Sequence, residues 1–165
     1  MKNILFIAMF AVGILCIAGL IAEERPGTSP PLGLPPVPIP EDNPQTPEKI
    51  ALGEKLYLDT RFSTTGEIAC ETCHLVDNAF SDSPKPVSEG INDLTGTRNS
   101  PTVVNSAYYE TLFWDGRSPS LEDQALHPFL NPVEMGLETH QPILDIVRSD
   151  PDYVTAFDQV FGKTG

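Results

Sequence analysis

Cys70, Cys73 and His74 form the pattern C-x-x-C-H. On a helix, positions i, i+3 and i+4 share one face. Two thiols and an imidazole at those positions would project together. The thiols can add to the two vinyl groups on one edge of a haem, with the imidazole directed at the iron from the same side. The pattern therefore reads as c-type haem attachment, with one haem c held covalently. Zinc and dithiol redox chemistry draw on the same residue types. A structural zinc site needs four ligands, often from paired motifs, and only His127 and His140 are left to complete one. A thioredoxin-like pair wants a βαβ setting. No alternating strand pattern supplies it. Haem propionates also need positive neighbours, and Arg61, Arg98 and Arg117 are the candidates near the motifs.

The chemistry of such an iron depends on its sixth position. Electron carriers fill it with Met or His, while peroxidases leave it open among polar groups. Beyond the N-terminal apolar stretch, Met135 is the only methionine, 61 residues after His74. As a sixth ligand it would make a mono-haem electron carrier. Gln124 and Glu134 lie ten residues apart in the same stretch. A carboxylate beside an open iron can move a proton between the two oxygens of peroxide, as general acid–base catalysis requires. A neighbouring amide can orient the peroxide or a water. These residues alone leave a carrier, a peroxidase and a haem-based sensor all open.

Helices must position these groups. Thr46 can cap a helix with Pro47 at its first position, and Ile50, Gly53, Leu56 and Tyr57 then share a face. A second helix is expected over Ala69 to Val76. Residues 77–99 read as a long loop rich in Asn, Asp, Ser, Gly and Pro. Ser100-Pro101 is expected to start a short helix. Ser120 with Asp123 resembles a capping box, in a helix that Pro128 should end. Asp150-Pro151 opens a last amphipathic helix carrying Tyr153, Val154, Phe157, Val160 and Phe161. The class is all-α with much irregular chain.

The 165 residues suit one domain. Ile4 to Ala22 is an uncharged run of 19 residues, which reads as a signal peptide or an N-terminal membrane anchor. Either way the remainder is exported, to the periplasm or beyond. Residues 23–47 form a proline-rich tether or strap, Pro26 to Pro47 holding nine of the 17 prolines. The haem domain then covers 48–165. A net charge of −13 disfavours nucleic acid and suits a basic partner, such as an electron-donor protein.

The order of several motifs resembles the bacterial di-haem cytochrome c peroxidase and MauG family. They are Thr46-Pro47-Glu48-Lys49, Leu52-Gly53-Glu54-Lys55-Leu56, the C-x-x-C-H pattern and Ala79-Phe80-Ser81-Asp82. Then come Gly96-Thr97-Arg98-Asn99-Ser100-Pro101-Thr102, Phe113-Trp114-Asp115-Gly116-Arg117, Leu121-Glu122-Asp123-Gln124-Ala125 and Asn131-Pro132-Val133-Glu134-Met135-Gly136. The resemblance implies a cytochrome c-like, N-terminal haem domain that reduces hydrogen peroxide. It implies His74 as proximal ligand, Gln124 and Glu134 as the distal pair, and Trp114 as an electron relay towards a second haem. It places Asn99 at a calcium ion on the domain junction. Two departures accompany it. The loop histidine that caps the resting haem in many relatives corresponds to Ile91, so this haem is expected to be open without reductive activation. The family's second haem domain has no counterpart before Gly165, so the chain is expected to be a partial sequence, or to use a separate donor and to be inactive alone.

Overall fold

The computed structural model describes residues 33–163. It divides at Val37 and Pro38 into two units. Of the first, residues 33–37 are described, a turn followed by irregular chain. The apolar run at 4–22 and most of the proline-rich stretch lie outside the described residues.

Among the described residues the second unit has six α-helices, four short 3-10 turns and no strand. The helices are α1 (Pro47–Leu58), α2 (Cys70–Cys73), α3 (Leu121–Gln124), α4 (His127–Leu130), α5 (Gln141–Ser149) and α6 (Pro151–Phe161). No helix among the described residues is long and apolar enough to cross a membrane. The unit is all-α. Helix α1 begins as its sequence dictates: Thr46 Oγ1 accepts from the Lys49 N–H at 3.2 Å, and Pro47, which has no N–H, takes the first position. Helix α6 repeats the device, with Asp150 accepting from the Asp152 N–H at 2.9 Å ahead of Pro151. Just before α1, Asn43 donates to Glu122 and accepts from Lys49, which straps the end of the proline-rich stretch onto this unit.

Three expectations change. The helix expected over Ala69 to Val76 is a single turn, Cys70–Cys73, capped by His74. Beyond it the chain doubles back, pairing Leu75 with Ser81 in an isolated antiparallel bridge. Ser100-Pro101 starts no helix; the chain after it is irregular, and the Ser100 N–H donates across the chain to Asp82. Pro128 does not end α3 but sits in the first turn of α4, where its missing donor costs nothing. Helix α5 was not expected. Its signal is Ile143, Ile146 and Val147 at helical spacing, all packed on the core.

That core joins α1, α5 and α6. Leu52, Phe62 and Tyr153 are fully buried, and the Phe62 ring meets Phe129 edge-on at 6.2 Å and Tyr153 at 5.9 Å. Tyr153 also donates its hydroxyl to Asp59 at 2.8 Å. Arg61 binds the same carboxylate at 2.6 Å and Asp150 at 3.0 Å. One polar knot thus fastens the end of α1 to the start of α6.

Tyr153→Phe should lower stability by about 1 to 2 kcal/mol, since it strips a buried partner from a carboxylate. Arg61 holds the Asp59 carboxyl down at about 2, chiefly through its hydrogen bond. The knot's contribution should therefore be complete above an unfolded value of about 3.9 and be lost as pH falls towards the folded one. Arg61→Gln should remove most of that acid dependence, measured as the midpoint of acid unfolding.

Candidate functional site

Helix α2 carries both thiols on one turn. Thr72 Oγ1 accepts from the Ala69 N–H at 3.0 Å, and the His74 N–H donates to the Cys70 carbonyl at 3.0 Å. Ser63 fixes the approach by accepting from the Ile68 N–H at 3.1 Å. The two cysteines are free thiols, not a disulfide. Burial pushes the Cys70 thiol up to about 11 and raises that of Cys73 as well. Redox dithiols and zinc ligands need the opposite shift. His74 Nδ1 lies 3.2 Å from the Phe80 carbonyl. A carbonyl can only accept, so Nδ1 carries the proton and Nε2 keeps its lone pair for a metal. Ala79 and Phe80 reach that geometry with left-handed backbone, φ 52° and 56°, uncommon for residues with a side chain.

These residues open on a cavity of about 1840 Å³. Cys70, Cys73, His74, Arg98, Asn99, Trp114, Arg117, Gln124, Glu134 and Met135 all line it. So do Leu56, Phe62, Ile68, Leu112, Phe129 and Val147. Pockets for ordinary small molecules run to roughly 300–1,000 Å³, and protein interiors are otherwise close-packed. A haem fits this lining: two thiols, one imidazole lone pair and two guanidinium groups border a largely apolar space.

The Glu134 carboxylate is held by Asn131, whose side-chain amide donates to it at 2.6 Å. Its backbone is held twice, the Glu134 N–H donating to the Asn131 carbonyl and the Glu134 carbonyl accepting from the Ile91 N–H, both at 3.1 Å. Burial raises the Glu134 pKa, with Arg117 and Asn131 pulling the other way. Its charge also raises both thiols, which places it within electrostatic reach of α2. Gln124 ends α3, half-buried on the cavity wall. Trp114 is 59% exposed and donates Nε1–H to the Asn99 carbonyl at 2.9 Å. Arg117 lies over the Phe113 ring at 3.4 Å from its centre and pairs with Asp115, as does Arg98.

Arg61 is no propionate partner. It lies off the cavity wall and is committed to Asp59 and Asp150. His127 turns to Asp123 and His140 to the Leu126 carbonyl. Among the described residues no three His, Cys, Asp or Glu side chains cluster to hold a metal. Ile91 is buried at 6% exposure, off the cavity wall. The sequence reading missed Asn131 as the carboxylate's partner. Its signal was the spacing N-x-x-E, which suits a turn in which Asn also accepts from the Val133 N–H. It also missed Gly90, which lets the loop touch the Glu134 backbone.

The family model described as di-haem cytochrome c peroxidase matches residues 47–165. The chain belongs to this family. The cytochrome-c peroxidase IdrP1 of Denitromonas iodatirespirans is 42% identical over 154 residues, covering 92% of this chain and 40% of that protein. The methylamine utilization protein MauG of Methylophilus methylotrophus is 37% identical over 126 residues, 76% of this chain and 37% of that one. A crystal structure of a MauG-like protein associated with microbial copper homeostasis superposes with TM-score 0.75 at 34% identity, covering 83% of this chain and 40% of the other. The chain spans about two fifths of the length of such relatives. Haem c and peroxidase-type chemistry are properties of the family.

A Cβ built at Gly90 would lie 2.0 Å from the Val133 carbonyl oxygen and 2.8 Å from Glu134 Cα, both rigid backbone. Gly90→Ala should therefore displace Glu134. Haem uptake should persist while peroxide turnover falls, on the order of tenfold for each 1.4 kcal/mol of lost transition-state stabilisation. Steady-state kinetics on the haem-loaded protein would check this, and unchanged kinetics would show that the contact does not position the carboxylate.

Proposed function

We propose that residues 48–165 form the peroxide-reacting, cytochrome c-like haem domain of a MauG-like di-haem peroxidase. The observation that carries this reading is a half-buried carboxyl of raised pKa, Glu134, sharing one cavity with Cys70, Cys73 and His74. Cys70 and Cys73 would hold the haem covalently, His74 Nε2 would face its iron, and Arg98 and Arg117 are placed for its propionates. When bound, the haem supplies the two electrons that reduce peroxide.

The chain's own residues supply the rest. Glu134 starts ionised and takes a proton from one oxygen of hydrogen peroxide. Asn131 occupies Oε1, which leaves Oε2 as the oxygen that receives it. The proton passes to the other peroxide oxygen, which departs as water. The Gln124 amide orients the peroxide, and the apolar wall keeps bulk water from the proton path. Trp114 relays electrons inwards from a second haem domain or a cytochrome-type donor. Ile91 offers no side chain that could cap the iron, so the site is open at rest. A calcium ion at Asn99 would take its other ligands from backbone carbonyls, water or a second domain. The protein is exported, on the strength of its N-terminal apolar run.

Met135, 3% exposed and on the same cavity wall, favours one rival: an electron carrier with methionine as sixth ligand. The spin state of the ferric protein, read by optical and EPR spectra, separates the two. High spin is expected; a low-spin spectrum with a methionine-to-iron band would sink the peroxidase reading. Glu134→Gln should cut peroxide turnover on the order of 100-fold. Because Glu134 acts as a base and burial raises its pKa, kcat/KM should rise with pH through a limb above the ordinary glutamate value of about 4.3. That limb should vanish in E134Q.

A further inference from the structure

The peptide group between Asn99 and Ser100 is gripped at both ends. Its N–H donates to Asp82 Oδ1 at 3.0 Å, and its C=O accepts from Trp114 Nε1 at 2.9 Å. Asp82 is 5% exposed, and its Oδ2 has no hydrogen-bond partner among the described residues. Lys85 is bonded to Glu89 and reaches Asp82 only through space, while Arg98 is bonded to Asp115. A carboxylate with one oxygen buried and unbonded is costly unless it serves a purpose. Ser100 extends the same junction, its hydroxyl accepting from the Ser88 hydroxyl at 3.2 Å.

We propose that Asp82 is a positioning residue for Trp114, acting through the 99–100 peptide to hold the indole and to stabilise positive charge on it. The proposal rests on the reading of Trp114 as the electron relay. Its physics is that of a polarised hydrogen-bond chain. A carboxylate on the peptide N–H makes the peptide C=O a stronger acceptor. That acceptor fixes the orientation of an indole that is otherwise more than half exposed. It also favours electron loss, because the indole N–H becomes a stronger donor as the ring turns positive. Trp114 gives up one electron to the peroxide-reacting centre and regains one from the donor. The Nε1 proton stays in place, shared with the Asn99 carbonyl, and the Asp82 charge offsets the transient positive charge. No proton has to leave the relay.

The chain has a single tryptophan, so the hydrogen-bond-sensitive indole N–H band in its ultraviolet resonance Raman spectrum reports Trp114 alone. In the haem-loaded protein this band should sit at the strongly bonded position despite the exposure of the ring. A band at the free-indole position in the unaltered protein would overturn the proposal without any variant. Asp82→Asn should shift the band towards the free position and leave the haem spectrum unchanged; an unmoved band overturns the proposal. Donor-driven peroxide turnover should fall on the order of tenfold in D82N, and the D82N/W114F double variant should be no slower than W114F. Multiplying losses would mean that Asp82 acts elsewhere, and would reject the proposal. If W114F alone turns over normally, the relay reading fails and the electronic role of Asp82 falls with it. The Raman shift would then still show the hydrogen-bond link by itself.

Discussion

Side chains from nearly every described element converge on one cavity of about 1840 Å³, and the rest of this domain depends on that convergence. Leu52, Phe62 and Tyr153 make a small core at one side. Phe62, Phe129, Ile143, Val147 and Phe157 belong both to that core and to the cavity wall, so core and cavity share one layer of side chains. A large flat group seated against that layer would add dispersion contacts to the folded state alone, and so would stabilise it. Covalent attachment through Cys70 and Cys73, as proposed above, would keep such a group from exchanging.

The walls of that space are mostly irregular chain, and irregular chain must be held residue by residue. Single-residue bridges, Leu75 with Ser81, Glu89 with Thr95 and Leu112 with Ser118, close three loops. Phe80 and Phe113 take left-handed backbone at φ 56° and 66°. Such a conformation persists in a bulky residue only where the surroundings over-determine it. Each stands beside a functional group: Phe80 presents its carbonyl to His74, and Phe113 lies beneath Arg117 and precedes Trp114.

Much of this was legible in the sequence where the signal is local. The caps at Thr46, Ser120 and Asp150 are chemistry within four residues, and they appear as expected. The C-x-x-C-H turn is equally local. What escaped depends on partners far along the chain. The Arg61 position was invisible because Asp150 is 89 residues away. The partner of the Ser100 N–H is Asp82, 18 residues back, which no local reading of Ser100-Pro101 could name. Gly90 reads as an ordinary loop glycine until the backbone of Val133 and Glu134 is seen packed against it. The cavity residues were found through the order and spacing of motifs, which encode the three-dimensional site without revealing its contacts.

The loop from Asp82 to Ser100 carries the least regular structure and connects the most chemistry. At its base Asp82 binds the Ser100 N–H, and Ser88 and Arg98 pair through the Ser88 N–H and the Arg98 carbonyl at 3.0 Å. At its tip Ile91 holds the Glu134 carbonyl. One closed loop therefore holds Glu134 with its tip and Trp114 with its base. A shift of the loop would move both. On the roles proposed for these two residues, a shared rigid support would keep proton and electron delivery in step. A regular helix could not reach both groups, because its backbone donors and acceptors are consumed internally. An irregular loop keeps them available for these far-off partners.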